Sequence, residues 1–185
     1  MKKDEILKYI PLETERLWIK CPTLDDVDML QSAKKAREKA LREWMSWSDD
    51  AGMSRQGVVD YITQSATNTC AIPLIGMEKD TGKFAIATGV DSDDDDFSTI
   101  STGWWLAEGY EGKGLAFEAM KKVFDLLKET IGTKIVNSQF YNGNTRSHNL
   151  MERLGMHYVE TVPKSHTSHL TGEQLDVIKY ERIFE

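Results

Sequence analysis

The chain has 185 residues, of which 40% are hydrophobic and 29% are charged, and its formal net charge is -7. These values are ordinary for a soluble globular protein and favour one domain over two. The acidic charge argues against nucleic-acid binding, because affinity for a phosphate backbone comes from clustered Lys and Arg. No run of about 20 apolar residues and no signal-peptide core is present, so we expect a cytoplasmic protein with no membrane partner.

The first half of the chain alternates between strand and helix patterns. Residues 14–23 alternate apolar and polar side chains, which predicts a half-buried strand. Thr23 then precedes two aspartates and helically spaced apolar residues, as an N-cap does, and a less regular helical region extends to Ile62. Residues 70–90 predict two strands around a KDTG turn, and Pro73 places the first of them at an edge or a bulge.

The second half centres on a strand that leads into a helix. A buried strand around residues 103–107 is followed by three glycines and by a helix from about Leu115 to Thr130, with Gly132 as its C-cap. Another strand, a short helix ended by Gly155, and two strands joined by a polar loop complete the pattern. Strands on both sides of a central strand-to-helix unit predict a mixed α/β (α+β) fold.

The glycine-rich joint, GYEGKG at residues 109–114, has two interpretations. Glycines before a helix can expose several backbone N–H groups to a phosphate, or they can simply permit a tight turn with positive φ. A nucleotide P-loop is excluded, because Leu115 and Ala116 stand where it needs Lys and Ser or Thr. A dinucleotide fingerprint is excluded as well, because Phe117 stands where a third small residue is needed.

The sequence resembles the GNAT N-acetyltransferase superfamily, and within it the ribosomal-protein-type (RimJ/RimL-like) branch, along nearly its whole length. Three segments carry the resemblance: LETERLWIK at 12–20, GWWLAEGYEGKGLAFEAM at 103–120 and NGNTRSHNLMERLGM at 142–156. The resemblance implies one acetyltransferase domain over residues 1–185. Its mostly antiparallel, twisted sheet of about seven strands would have helices on both faces and would splay where the strand around Trp105 approaches the strand around Val136.

Acetyl-CoA is the cosubstrate that this resemblance implies, with coenzyme A as product and its pyrophosphate against the glycine loop. The loop departs from the family pattern at Gly109, where Gln or Arg is usual. This departure weakens the motif without removing its mechanism of phosphate binding, because most phosphate contacts expected there come from backbone amides. The implied cofactor-binding residues are Trp105, Leu106, Ala107, Glu111, Gly112, Lys113, Gly114, Leu115, Ala116, Asn144 and Ser147.

The catalytic acid is expected to be Ser147. Many superfamily members have a tyrosine at the position of Met151, and a thioether cannot donate a proton. The branch pattern Asn-x-x-Ser matches Asn144 and Ser147, which implies that Asn144 binds the cofactor arm and Ser147 bonds the departing sulfur. An ordinary helix cap at Asn144 with a first-turn serine is the alternative, and the two roles are compatible. The general base is left open, because a water relayed to a carboxylate or to a backbone carbonyl serves as well as any single residue.

The expected acceptor is a protein N-terminal amine, because an α-amino group has a pKa of about 8 and needs little help to lose its proton. A small amine such as a polyamine, an amino acid or an antibiotic is the second hypothesis, and a non-catalytic coenzyme A-binding module is the third. Trp44 and Trp47 form either an acceptor wall or part of the core. The oligomeric state stays open, with a homodimer among the options.

Three further patterns predict no metal site. Cys21 and Cys70 are far apart and have no partner motif. The acidic run DSDDDDFS, from Asp91, lacks the glycine and glutamate of a calcium loop, so we expect a solvated hairpin turn too far from the helix for catalysis. His166 and His169 are expected to be surface histidines in a polar loop rather than metal ligands.

Overall fold

One eight-stranded sheet forms the centre of the structure, a computed structural model that describes residues 1–185. The strand order across the sheet is β1-β2-β3-β4-β5-β6-β8-β7, so β1 and β7 are its edges. The strands are β1 (Leu12–Glu13), β2 (Leu17–Lys20), β3 (Ala71–Glu78), β4 (Phe84–Ser92), β5 (Thr99–Leu106), β6 (Ile135–Tyr141), β7 (His157–Thr167) and β8 (Gln174–Ile183).

Seven α-helices accompany the sheet, and α2 follows Thr23, the N-cap that the sequence predicts. Thr23 forms a capping box with Asp26 ahead of α2, and Ser54 accepts a hydrogen bond from the Gly57 N–H at the start of α5. A bilayer crossing would need a longer and more apolar helix than any in this structure. The helices are α1 (Lys3–Ile6), α2 (Val27–Ala36), α3 (Glu38–Trp44), α4 (Asp50–Met53), α5 (Arg55–Thr67), α6 (Leu115–Leu126) and α7 (Thr145–Arg153).

The predicted central helix is confirmed. α6 continues as a single wider turn over Leu127–Ile131 and ends at Gly132, whose φ of 79° is the left-handed C-cap conformation. Leu115, Met120 and Val123 form part of its buried stripe. This helix therefore starts directly after the glycine joint and fixes the direction in which the joint faces.

The sheet splays between β5 and β6, as predicted. These two strands are the sheet's only parallel neighbours, and they pair only from Thr99 to Ser101 with Ile135 to Asn137. β5 continues to Leu106 beside β4, while β6 continues to Tyr141 beside β8. The rest of each strand therefore diverges from the other, and a cleft opens in the middle of the sheet.

Each face of the sheet packs against its own hydrophobic cluster. The larger cluster includes Leu17 and Ile19 of β2 and the buried stripe of α6. The smaller cluster joins β3 and β4 to α2 and α5. Trp104 packs against the larger cluster and Trp105 against the smaller one, so the two indoles lie on opposite faces of β5.

The strand count and one loop differ from the sequence expectation. There are eight strands rather than about seven, because the two-residue β1 pairs with β2. The expected polar loop around His166 is instead the end of β7, which pairs with β8 as far as Thr167. Pro73 lies on the half of β3 that has no partner on the β2 side, since β2 pairs only with Ile75 to Glu78.

The acidic run forms the predicted hairpin turn between β4 and β5, but one of its residues is part of the core. Phe97 is fully buried in the larger cluster, and its φ is 58°. Thr133 donates a hydrogen bond of 2.8 Å to the Phe97 carbonyl and holds the turn against the end of α6. The turn is thus anchored by an aromatic side chain, although its aspartates are solvated.

We therefore expect Phe97→Ala to lower the free energy of unfolding by about 3–5 kcal/mol, because it removes a fully buried ring and leaves a cavity. Urea unfolding monitored by circular dichroism measures this change. Leu24→Ala is the control, since Leu24 is 59% exposed and its truncation leaves no cavity. Equal losses in the two variants would show that Phe97 does not anchor the turn.

Candidate active site

The cleft between β5 and β6 holds a cavity of about 700 Å³. At the point where the strands separate, the Ser138 hydroxyl donates a 2.8 Å hydrogen bond to the Thr102 carbonyl. Beyond this bridge the wall is formed by α7, β8 and the segment between α3 and α4. Contributing residues include Trp44, Met45, Trp47, Asp91, Trp104, Asn144, Ser147, Met151 and Tyr180.

Backbone groups of β5 are available in this cleft. The Ala107 N–H donates to the Ala85 carbonyl at 2.9 Å, so Ala85 and Ala107 are a hydrogen-bonded pair of the antiparallel ladder. Such pairs alternate, which directs the backbone groups of Trp105 toward β4 and those of Trp104 and Leu106 toward the cleft. The free groups therefore belong to Trp104 and Leu106. Of the expected strand residues, Leu106 faces the cleft with its backbone, whereas the N–H groups of Trp105 and Ala107 face β4.

The glycine joint exposes a row of backbone donors. The N–H groups from Gly112 to Phe117 donate no hydrogen bond within the chain, and the first helical bond runs from Glu118 to Gly114. Gly112 and Gly114 have φ values of 74° and 78°, and a Cβ built on Gly112 meets nothing within 4 Å. Free donors at the positive end of a 12-residue helix, with open space before them, fit a phosphate.

Glu118 ties the first turn of α6 to the β1–β2 connection. Its Oε1 accepts hydrogen bonds from Thr14 Oγ1 at 2.6 Å and from the Arg16 N–H at 2.8 Å, and its Oε2 accepts from Arg16 Nε at 2.7 Å. Burial opposes ionisation of the Glu118 carboxyl, but these hydrogen bonds outweigh it and lower its pKa. Arg16 also donates to the Lys113 carbonyl at 2.9 Å, so the same cluster fixes the glycine joint itself.

Glu111 faces arginines instead of the free amides. Its carboxylate pairs with Arg37, at the α2–α3 junction, and lies 3.5 Å from the Arg146 guanidinium of α7. Burial opposes its ionisation, but backbone N–H groups and the two arginines outweigh burial and lower the Glu111 pKa. The predicted phosphate-loop residue therefore crosslinks the loop to two helices.

The start of α7 supplies a hydroxyl to the cleft. Asn144 caps this helix, because its Oδ1 accepts a 3.2 Å hydrogen bond from the Ser147 N–H. The Ser147 hydroxyl forms no hydrogen bond within the chain, and it lines the cavity with the buried Met151. The ordinary capping role is therefore present, and it leaves the hydroxyl of Ser147 available.

Sequence reasoning missed Tyr180, another side chain that brings a hydroxyl to this cavity. Tyr180 lies on β8 opposite Ser138, and its hydroxyl is 3.0 Å from His148 Nε2. Burial raises the pKa of Tyr180. No local motif marks this tyrosine, since only the pairing of β6 with β8 brings it to the cleft.

A second cavity, of about 430 Å³, lies on the α2 and α5 side of the sheet. It shares Met45, Trp47, Asp91, Gly103 and Trp104 with the first cavity, so the two meet. Trp47 lines both cavities and packs 6.4 Å from Trp105, whereas Trp44 lines only the first. We call the five residues shared by the two cavities, Met45, Trp47, Asp91, Gly103 and Trp104, the junction.

Two charged side chains of the second cavity were not anticipated. Lys34 is 9% exposed; its Nζ donates to the Gly52 carbonyl at 3.0 Å and lies 4.7 Å from the centre of the Trp47 ring. Burial lowers the Lys34 pKa to about 8. Asp91, at the junction, is open to solvent, yet the surrounding walls reduce its hydration and raise its pKa. The expectation that the whole acidic run lies away from the site is therefore wrong for Asp91, which belongs to β4.

The two histidines of the HxxH pattern contact residues that line the first cavity. His166 stacks on Tyr141 with ring centres 3.7 Å apart, and burial lowers its pKa. His169 is exposed, and its Nε2 lies 2.9 Å from the Ser46 carbonyl. His166 is thus a half-buried packing residue of β7, contrary to the surface position that the sequence suggested.

Comparison with known proteins places this geometry in a family. Residues 16–157 match the family model described as an acetyltransferase (GNAT) domain. The chain belongs to this family. The predicted superfamily and the predicted acyltransferase class are thereby confirmed.

Solved structures of other GNAT proteins have the same fold. A ribosomal-protein-S5-alanine acetyltransferase from Vibrio fischeri is 16% identical with a TM-score of 0.82, over 94% of this chain and 96% of that one. RimL, a ribosomal L7/L12 α-N-protein acetyltransferase in complex with coenzyme A, is 13% identical with a TM-score of 0.83, over 94% and 97%. MccE, a microcin C7 self-immunity acetyltransferase in complex with acetyl-CoA and AMP, is 20% identical with a TM-score of 0.78, over 92% and 93%.

The buried Lys34 generates a prediction about stability and pH. Its pKa of about 8 in the folded protein lies below its ordinary 10.5, so the unfolded chain binds more protons between these values. Wild-type stability should therefore rise relative to Lys34→Met as the pH increases from about 7 to about 9.5, by roughly 1–2 kcal/mol. Urea unfolding of both proteins at the two pH values measures this. Lys35→Met, which removes an exposed lysine of the same helix, is the control. A Lys34→Met difference that is independent of pH would contradict the prediction.

Proposed function

We propose that this GNAT protein transfers the acetyl group of acetyl-CoA to a primary amine, with the N-terminal amine of a protein as the leading acceptor. The observation that carries the proposal is the row of free N–H groups from Gly112 to Phe117 at the mouth of a splayed sheet. The row of N–H groups suits a phosphate, and the adjoining cleft suits a peptide-like arm. Together they fit an acyl donor that has a phosphate at one end and such an arm at the other.

Different residues bind different parts of acetyl-CoA in this proposal. The N–H groups of Gly112, Lys113, Gly114, Leu115 and Ala116 hold the pyrophosphate, and Lys113 adds a positive charge. The cleft-facing backbone groups of Trp104 and Leu106 bond the pantetheine arm as a further strand would. The thioester supplies the activated acetyl group. Arg16 and Glu118 keep the donor groups in position by fixing the loop from behind.

Ser147 acts on the departing sulfur. Its hydroxyl lines the cleft without a hydrogen-bond partner in the chain, while Asn144 fixes the helix turn that carries it. A donor held in place before the reaction stabilises negative charge as it develops, with little reorganisation. Asn144 thus combines the capping role with the orientation of Ser147.

The acceptor enters from the second cavity, between Trp47 and the sheet. An α-amine suits this site because its pKa of about 8 leaves a useful neutral fraction near neutral pH. Support comes from neighbours whose names specify ribosomal-protein acceptors. A small amine is the second candidate, because the cavity of about 430 Å³ is large enough to enclose one.

The chain works as one domain in this proposal. Strands from both ends of the sequence, β1 and β8, belong to the same sheet.

Acetyl-CoA turnover on a panel of peptides and small amines, followed by release of the coenzyme A thiol, tests the activity. Absence of turnover on every acceptor, despite tight binding of coenzyme A, would instead support the non-catalytic module.

The proposal predicts that Gly112→Asp weakens coenzyme A binding by about 10-fold or more, because it places bulk and negative charge before the pyrophosphate. Isothermal titration calorimetry with coenzyme A measures the affinity. Gly172→Asp is a matched control: Gly172 has a φ of 75°, its Cβ direction is also open, and it lies in the β7–β8 turn. Equal affinity for coenzyme A in the two folded variants would show that the pyrophosphate does not bind at Gly112.

Ser147→Ala should lower kcat by about 10²-fold if chemistry limits turnover, because one donor aimed at developing charge contributes that much. Affinity for acetyl-CoA and the Tm should change little, since the helix cap uses the Ser147 N–H and not its hydroxyl. Steady-state kinetics, calorimetry and thermal melting measure the three quantities. A folded variant that keeps most of its kcat would show that Ser147 is not the acid.

A further inference from the structure

Lys34 brings an unneutralised positive charge to the second cavity. None of the chain's ion pairs includes Lys34, although the protein has 30 acidic residues against 23 basic ones. Its only hydrogen bond goes to the Gly52 carbonyl, and an ammonium group has three donors. A residue this buried is rarely left without a counter-charge. The cavity wall therefore presents a cation that an anionic group of a ligand can pair with.

Asp91 brings an unneutralised negative charge to the same cavity. Its carboxylate forms no ion pair and no hydrogen bond within the chain, whereas Asp94 accepts a hydrogen bond from the Asp96 N–H and Asp95 pairs with Lys2. The strand alternation of β4 directs Val90 into the larger cluster and Asp91 to the opposite face, where the second cavity lies. The position of this carboxylate is thus set by the sheet and not by the flexible part of the turn.

The two charges lie at different depths. Asp91 lines both cavities and belongs to the junction, whereas Lys34 lines only the second cavity. An amine that receives an acetyl group from the cleft must reach the junction. The amine end of an acceptor therefore meets Asp91, and the rest of the acceptor extends toward Lys34 between Trp47 and Trp105.

We propose that the second cavity selects an amine acceptor that also carries an anionic group, with the amine end at Asp91 and the anion at Lys34. This inference rests on the proposed acetyl transfer and deepens it by naming the acceptor class. A dipolar acceptor supplies a counter-charge to the buried Lys34 and to the more exposed Asp91 at once. A polyamine would instead bring a second cation toward Lys34, and a neutral amine would leave Lys34 without a counter-charge.

The test compares acceptors that differ only in the charge of one group. The probes are the α-amides of aspartate and asparagine and those of glutamate and glutamine, so that each anionic amine has a neutral isostere. Tetrapeptides that begin with Asp or Asn form a second arm. KM is measured for acetyl transfer, and direct binding is measured by calorimetry in the presence of coenzyme A, which does not depend on turnover.

Wild type should bind the anionic member of a pair about 10-fold more tightly, and Lys34→Met should abolish this preference while leaving the neutral member unchanged. Asp91→Asn should weaken both members. Lys35→Met and Asp93→Asn are the matched controls, since both side chains are exposed and form no hydrogen bond or ion pair. A preference in the amides alone identifies a free acidic amine, and a preference in both arms identifies an acidic protein N-terminus.

Equal affinity of wild type for both members of every pair would overturn the inference, as would a preference that survives Lys34→Met. Either outcome with normal turnover leaves the proposed acetyl transfer intact. Absence of turnover on all probes would count against the proposed function, while the calorimetric preference still decides the inference.

Discussion

The short parallel pairing of β5 with β6 is the constraint on which the site depends. Three residues of each strand pair, and each strand is then held only by its other neighbour, β4 or β8. Backbone groups that have no strand partner are costly unless water or a ligand satisfies them. The cleft therefore combines rigid walls with unused hydrogen-bonding capacity. The bond from Ser138 to Thr102 marks where pairing ends, so the sheet itself determines the depth of the cleft.

An acidic protein can use this cleft for a polyanionic donor because the positive potential comes from backbone groups. Fixed N–H dipoles at the start of α6 need no net positive charge. The nearby cations Arg37 and Arg146 are already engaged by Glu111, and Arg16 is engaged by Glu118. These ion pairs hold the loop against three other segments. They position the donors without adding charge that would attract nucleic acids.

Sequence patterns located the scaffold better than the side chains that line it. The glycine joint and the helix after it follow from local spacing, since each depends on contiguous residues, whereas the splay between β5 and β6 followed from the family resemblance. Which backbone groups of β5 are free does not follow from local spacing, because their direction depends on the register of β5 against β4. Tyr180 and Lys34 reach the cavities through pairing and helix packing between distant segments. Asp91 was grouped with the aspartates beside it, although strand alternation separates it from them.

Charged side chains are arranged differently at the glycine joint and in the second cavity. At the joint, ion pairs join Arg16 to Glu118 and both Arg37 and Arg146 to Glu111, so these charges serve geometry. On the acceptor side Lys34 and Asp91 have none, and burial shifts the pKa of each toward its neutral form. An unpaired charge as buried as that of Lys34 reduces stability, and in the inference above an anionic group of the ligand offsets this cost. Under the proposed function, donor binding relies on backbone geometry, whereas the choice of acceptor relies on the side chains of Lys34 and Asp91.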